Sequence, residues 1–174
     1  MNIINISLLK GISPDKMKIA KAIPIYKAED TCLFVKYRPT SLLPNFSKLF
    51  ENVICNRPTE FVEKYEILYC CQFGFKKNHS RSLVLIHLSS KISSAIDRHA
   101  EITAGVFLDL SKAFDTLDHE ILFAKLEHCG IRDVVLRWIK SYLSCRQQFV
   151  QFNVACSTTQ TIKCGIPQGS ILGP

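Results

Sequence analysis

The stretch ITAGVFLDL, residues 102–110, places the strongest constraint on how this chain can fold. A largely apolar run of that length reads as a strand buried in a sheet. Asp109 interrupts it one residue before its end. A carboxylate there would be held by a rigid element at the rim of the sheet, which suits a functional site as well as a cap. The residues that follow add Asp115 and Asp118, so that three aspartates crowd into residues 107–120. Phe114 lies five positions after Asp109, across a tight turn that can bring its ring over whatever the carboxylate binds. Asp115 and Asp118 read as turn or cap residues of the next helix.

The chain has 174 residues, 47% of them hydrophobic and 21% charged, with seven Gly and seven Pro. That is globular composition with enough apolar mass for one cored domain. No apolar run approaches the roughly 20 residues a membrane span needs. The N-terminus lacks a basic start and a small-residue cleavage site, so an intracellular protein of the nucleus or cytoplasm is expected, not a secreted one. Eight cysteines form no CxxC pair and are irregularly spaced, which fits free thiols better than disulfides or zinc. His119, His128 and Cys129 lack a fourth ligand for a tetrahedral site.

The formal net charge is +7, and its distribution is uneven. Basic residues crowd the first forty positions, up to Lys36 and Arg38, and again at Lys76, Lys77 and Arg81, ahead of the acidic stretch. Two basic patches followed by a carboxylate cluster suit a site that handles phosphates with metal ions.

Mixed elements in this order predict an α+β fold. AKAIPIY (20–26) reads as an edge strand because of Pro24, and YRPTSLLP (37–44) as extended or turn-like. Phe46, Leu49, Phe50, Val53, Ile54, Phe61 and Val62 repeat at helical spacing over about 45–68, with Pro58 implying either a kink or two helices. CQFGFKKNHS (71–80) reads as a loop or short strand with Gly74. Ser80 or Ser82 then caps a helix to about Arg98 with Leu85, Leu88, Ile92 and Ile96 on one face. Asp118 caps a helix that Gly130 ends, Asp133 starts another, and RQQFVQFNV with TTQTIKC predicts a hairpin. GIPQGSILGP (165–174) reads as a turn-rich loop.

GVFLDLSKAFDTLDHEIL resembles motif A of the reverse transcriptases of LINE-type non-LTR retrotransposons. IPIYK, YRPTSLLPNFSKLFE, ILYCCQFGFKKNHS, IKSYLSCRQQFVQFN and GIPQGSILGP resemble successive blocks of the same domain, in order, over about residues 10–174. The resemblance implies the fingers and part of the palm of a right-hand polymerase, with fingers at about 1–103 and palm at about 104–174. It implies RNA-templated DNA synthesis, with an RNA template, a DNA primer and deoxynucleoside triphosphates as partners, no membrane, and two Mg²⁺ ions as cofactors. Asp109 matches the first metal-binding aspartate, with the Leu110 backbone carbonyl facing metal. Phe114 matches the bulky gate that excludes a ribose 2′-hydroxyl. Gln168 and Gly169 match the pair beside nucleotide and template. Arg38 and Lys76 match triphosphate contacts, and Lys76, Lys77 and Arg81 match nucleic-acid contacts.

The sequence also departs from that pattern. It contains no aromatic–x–Asp–Asp, the family's second catalytic motif, and no thumb. Lys76 stands where arginine is usual, which loses bidentate phosphate geometry, and Thr40 and Arg81 are unusual at their positions. A two-metal site needs carboxylates from two strands to keep its ions roughly 4 Å apart, and one aspartate cannot supply them. These 174 residues are therefore expected to be catalytically silent alone. The alternatives are a residual nucleic-acid-binding module working through the basic residues, or an inert product. The strand bearing Asp109 is expected to present an open apolar edge.

Overall fold

The computed structural model describes residues 3–26, 33, 37–76, 78–98 and 104–173. Helix α1 (Ile3–Lys10) opens the chain, followed by strands β1 (Ile19–Tyr26) and β2 (Tyr37–Leu42) and the long helix α2 (Asn45–Lys64). Next come α3 (Arg81–Asp97), α4 (His119–His128) and α5 (Asp133–Leu143), then the short strands β3 (Gln147–Phe152), β4 (Ala155–Cys156) and β5 (Gln160–Thr161). The architecture is mixed α and β, as expected. No helix among the described residues is long and apolar enough to cross a membrane.

The chain forms two compact units, residues 62–111 and the remainder. In the larger unit the strands run in the order β2-β1-β3-β4, with β5 also paired to β3. β1 is antiparallel to β2 and parallel to β3, so it is an interior strand and not the edge that Pro24 suggested. The register resolves the conflict. Pairing with β3 stops at Ala22–Val150, and Pro24 faces Pro39 across the β2 ladder. Two residues without an N–H can oppose each other where neither donates to the other strand, and Pro24 lies beyond the reach of β3. The expected hairpin is present: β3 returns through Asn153 into β4, and Gln147–Gln148 pair with Thr161–Gln160 of β5.

Several helix limits follow local chemistry. The Asp118 carboxylate accepts from the N–H groups of Glu120 and Ile121, capping α4. Its other end closes when Gly130 N–H donates to Glu127 O and Ile131 N–H to Leu126 O, the two hydrogen bonds of a Schellman cap. The same cap ends α1, with Gly11 N–H to Leu8 O and Ile12 N–H to Ser7 O. α2 is one helix with Pro58 inside it, and the Thr59 hydroxyl donates to Cys55 O in that turn.

The core joins Phe50 and Ile54 of α2, Phe123 of α4, and Leu136, Trp138, Tyr142 and Leu143 of α5. The Trp138 and Tyr142 rings stack at 5.2 Å, and Trp138 Nε1 donates to Ser7 of α1. The buried stripe of α2 is Ser47, Phe50, Glu51 and Ile54, while Phe46, Leu49 and Val53 are exposed. An apolar reading of that helix therefore finds Phe50 and Ile54 but misses the polar half of the buried stripe and counts Phe46, Leu49 and Val53 in excess. Glu51, fully buried, decides the orientation: Oε1 accepts from Ser47 Oγ at 2.9 Å and Tyr142 Oη at 2.8 Å, and Oε2 from Ile171 N–H at 2.7 Å.

The smaller unit holds the end of α2, the loop to Ser80, and α3, whose N-cap is Ser80 with its Oγ accepting from Leu83 N–H. The expected apolar face of α3, including Leu85, Leu88, Ile92 and Ile96, is exposed. Residues 104–110, the described part of the run that reads as a buried strand, form no strand. Val106, Phe107, Leu108 and Leu110 are 77–88% exposed. A strand exists only through ladder hydrogen bonds to a neighbour, and among the described residues none pairs here. The apolar exposure is as expected, but the regular edge is not.

Two measurements check this core. Glu51→Ala leaves a buried phenol, hydroxyl and backbone N–H without their acceptor and should cost about 3–5 kcal/mol by denaturant titration. Burial holds the Tyr142 phenol well above its ordinary range, reinforced by the Glu51 carboxylate and opposed by Arg146. A raised folded pKa gives stability that is full below the ordinary value near 10 and declines as pH rises above it. Wild type should therefore lose stability above about pH 10 more steeply than Tyr142→Phe.

Candidate functional site

Three segments of the larger unit converge on one small cavity: β2, the turn before α4, and the loop after β5. The loop begins at Cys164, and Ile166 and Leu172 pack against the core. Gly165 N–H donates to Leu117 O, and Ile166 N–H to Phe114 O at 2.9 Å. His119 closes the same joint, its Nε2 lying 2.7 Å from Gly165 O. Gly165 has φ +79°, and a Cβ there would sit 2.6 Å from Asp115 O and 2.8 Å from Phe114 O. Only glycine fits that contact.

Beyond the proline, the loop is stitched to β2. Ser41 N–H donates to Gln168 O at 2.8 Å. Gly169 has φ +99°, and a Cβ there would meet Ser41 O at 3.1 Å. The close approach that a glycine permits here is thus made by the protein's own strand. The Gln168 side chain lies between two charged groups. Its Nε2 donates to Asp115 Oδ1 at 2.7 Å, and its Oε1 accepts from Arg38 Nε at 3.0 Å. Pro39, Ser41, Asp115, Gln148 and Gln168 all line the cavity, whose volume is about 160 Å³. Ligand pockets usually enclose about 300–1,000 Å³, so this one can engage an edge of a larger molecule but not envelop it.

The structure brings together Arg38, Gln168, Gly169 and the backbone of Phe114 from the residues singled out in the sequence. Asp109 and Leu110 belong to the smaller unit, in the exposed segment without regular structure. Lys76 lines a groove of that unit together with Glu63 and Glu66, so an anion beside it would also meet carboxylates. Arg81 occupies the exposed first turn of α3, and Lys77 lies outside the described residues. No group of three or more His, Cys, Asp or Glu among the described residues is placed to hold a metal ion. The described cysteines are free thiols.

Asp115 is the turn residue it reads as, its backbone N–H donating to Lys112 O. Asp118 is the cap it was expected to be, but the Asp115 side chain caps nothing and instead binds Gln168, 53 positions away. His119, Gly165 and Ser41 were likewise invisible as site residues. An aspartate three residues before a cap carries the local signature of a turn, and only the tertiary approach of the loop distinguishes it.

The family model for reverse transcriptase (RNA-dependent DNA polymerase) matches residues 25–174. The chain is 38% identical over 138 residues to the probable RNA-directed DNA polymerase from transposon X-element of Drosophila melanogaster. It is 35% identical over 144 residues to the probable RNA-directed DNA polymerase from transposon BS of the same organism. Each alignment covers 79% of the chain and 15% of the relative. Identity is 34% over 173 residues to the RNA-directed DNA polymerase from mobile element jockey of Drosophila melanogaster, covering 99% of the chain and 19% of the relative. The chain thus spans less than a fifth of the length of these relatives.

Gly165→Ala tests the joint. A methyl group at φ +79° and 2.6 Å from a carbonyl should cost about 1–3 kcal/mol and broaden the amide resonances of Phe114 and Asp115. A variant with wild-type stability and spectra would show that the joint is not tight.

Proposed function

Because this chain belongs to the reverse transcriptase family, in the branch carried by LINE-type retrotransposons, we propose that it is the nucleotide-handling part of an enzyme that copies RNA into DNA. The fingers would occupy about 1–103 and the palm about 104–174, with RNA template, DNA primer and deoxynucleoside triphosphates as partners. One observation carries this reading. Gln168 and Asp115, the neighbour of Phe114, line one cavity with Pro39 and Ser41 of β2, and Arg38 of the same strand bonds to Gln168, so three segments far apart in sequence meet there. In this reading the Gln168 carboxamide contacts the incoming nucleotide, and Gly169 holds the loop against β2. Arg38 directs its remaining guanidinium N–H groups to the triphosphate, for which a fork of fixed donors is suited. The Phe114 ring lies beneath the sugar and excludes a 2′-hydroxyl sterically. Lys76, Lys77 and Arg81 supply charge along the nucleic acid.

Phosphoryl transfer demands positioning and neutralisation of charge more than covalent chemistry from the protein. The family generally uses divalent metal ions. The Asp109 carboxylate and the Leu110 carbonyl are hard oxygen donors of the type Mg²⁺ accepts. Two oxygens from adjacent residues fall short of an octahedral shell, and further short of a site for a pair of ions. These residues can contribute to such a site but cannot constitute it. The 174 residues alone should therefore bind nucleotide without catalysing transfer.

Calorimetric titration of the purified chain tests the reading. Deoxynucleoside triphosphates should bind more tightly than ribonucleotides, Phe114→Ala should erase that preference, and Gln168→Ala should weaken binding about tenfold, about 1.4 kcal/mol. Equal affinity of wild type and Gln168→Ala would sink the assignment. In a primer-extension assay with Mg²⁺ the chain should give no product, and product that disappears with Asp109→Asn would refute its silence.

A further inference from the structure

A glutamine carboxamide is nearly symmetric in shape, and turning it by half a revolution exchanges an acceptor for donors at little cost. A glutamine that reads a ligand edge therefore needs something to fix which end faces which way. Gln168 has such a fixture on both sides. Ionised Asp115 can only accept and Arg38 can only donate, so Nε2 must face the carboxylate and Oε1 the guanidinium. The bond to Asp115 is the shorter, at 2.7 Å, and is partly buried, while the 3.0 Å bond from Arg38 is exposed to water. A charge-assisted bond sheltered from solvent is the stronger restraint.

Asp115 is itself held. Its backbone N–H donates to Lys112 O, and its carbonyl lies against Gly165, where no Cβ could be accommodated. The carboxylate, the carboxamide and the guanidinium thus form a short polar chain across the cavity rim. One Nε2 hydrogen and one Oε1 lone pair of Gln168 remain for a ligand, in fixed positions.

We propose that Asp115 is a positioning residue for nucleotide recognition, locking the Gln168 carboxamide so that it presents one donor and one acceptor of fixed polarity to the incoming nucleotide. The proposal rests on the nucleotide-handling reading of the same cavity. It assigns Asp115 no contact with the reacting atoms, and it distinguishes Asp115 from Asp118, which caps α4.

The test uses the whole chain, with Asp115→Asn as an isosteric variant and Asp115→Glu as the variant that keeps an acceptor-only group. Side-chain amide spectra of ¹⁵N-labelled protein report on Gln168 without any nucleotide, its pair of signals being assigned by their loss in Gln168→Leu. Asp115→Asn should move the Gln168 signals toward those of a free carboxamide and weaken deoxynucleoside triphosphate binding about tenfold, while Asp115→Glu recovers at least part of both. In a Gln168→Leu background, Asp115→Asn should have no further effect on nucleotide affinity. Unchanged Gln168 signals in Asp115→Asn would overturn the lock. A moved signal with unchanged affinity would overturn its role in recognition. If wild type binds no nucleotide, the nucleotide-handling reading fails and recognition by Asp115 fails with it, whereas the spectra still decide whether the lock exists. Should Asp115→Asn fail to fold, Asp115→Ser removes the carboxylate with a smaller side chain. Shifted Gln168 signals and weaker binding there support the proposal, and unchanged signals overturn it.

Discussion

Burying a carboxylate is costly unless donors surround it, and Glu51 is fully buried. It makes no ion pair; the one pair among the described residues joins Lys18 to Asp15. Its charge is met instead by a serine hydroxyl one turn back in α2, the Tyr142 phenol of α5, and the N–H of Ile171. Each donor lies on a different segment of the larger unit or on a different turn, so the carboxylate can be satisfied only when α2, α5 and the loop after β5 are all in place. An apolar residue at 51 would pack into the same core without that requirement. The specificity of the arrangement comes from the expense of leaving any of these groups unpaired.

The loop that Glu51 anchors at Ile171 is the loop that carries Gln168. Between them, Gly169 lies against Ser41 and Gln168 O accepts from the same residue. At its other end the loop enters through Gly165, pressed against Phe114 and Asp115 and bound by His119. This loop has no helix or strand of its own between 165 and 173. Its rigidity is borrowed, backbone group by backbone group, from β2, α2 and the turn before α4. A substitution that loosens Glu51 is therefore expected to blur the site, although it contacts no ligand.

Elements whose limits are written in local chemistry were legible in the sequence. α4 could be read to the residue from Asp118 and Gly130, because a cap and a Schellman glycine act within one turn. The β3 hairpin followed from alternation. α1 was missed because its eight residues carry apolar side chains without a clear face, and Gly11 was the one local signal of its end. The buried face of α2 was legible only in Phe50 and Ile54, because Ser47 and Glu51 count as polar until their partners, up to 120 positions away, are known. Asp115 was legible as a turn residue, but its bond to Gln168 was not, for the same reason. Identity of chemistry was readable in the site residues, but their pairing was not, since Arg38 and Gln168 are separated by 130 positions.

Residues 104–110, the described part of the strand expected at 102–110, lack strand structure on a different count. High apolar content states that a segment wants burial, not that a neighbour is available, and a lone strand gains no ladder bonds to offset about 1–2 kcal/mol of backbone entropy per residue. The two aspartates of the acidic stretch thereby part company. Asp115 is fixed by contacts that these residues supply among themselves, so the orientation of Gln168 is already built. Asp109 sits where the backbone has no partner to fix it among the described residues, on the segment most exposed in its unit. In the proposed reading, recognition of a nucleotide edge through Gln168 and placement of a carboxylate for metal at Asp109 would therefore be separable. The first would need only hydrogen bonds present among the described residues, and the second a strand to pair with residues 104–110.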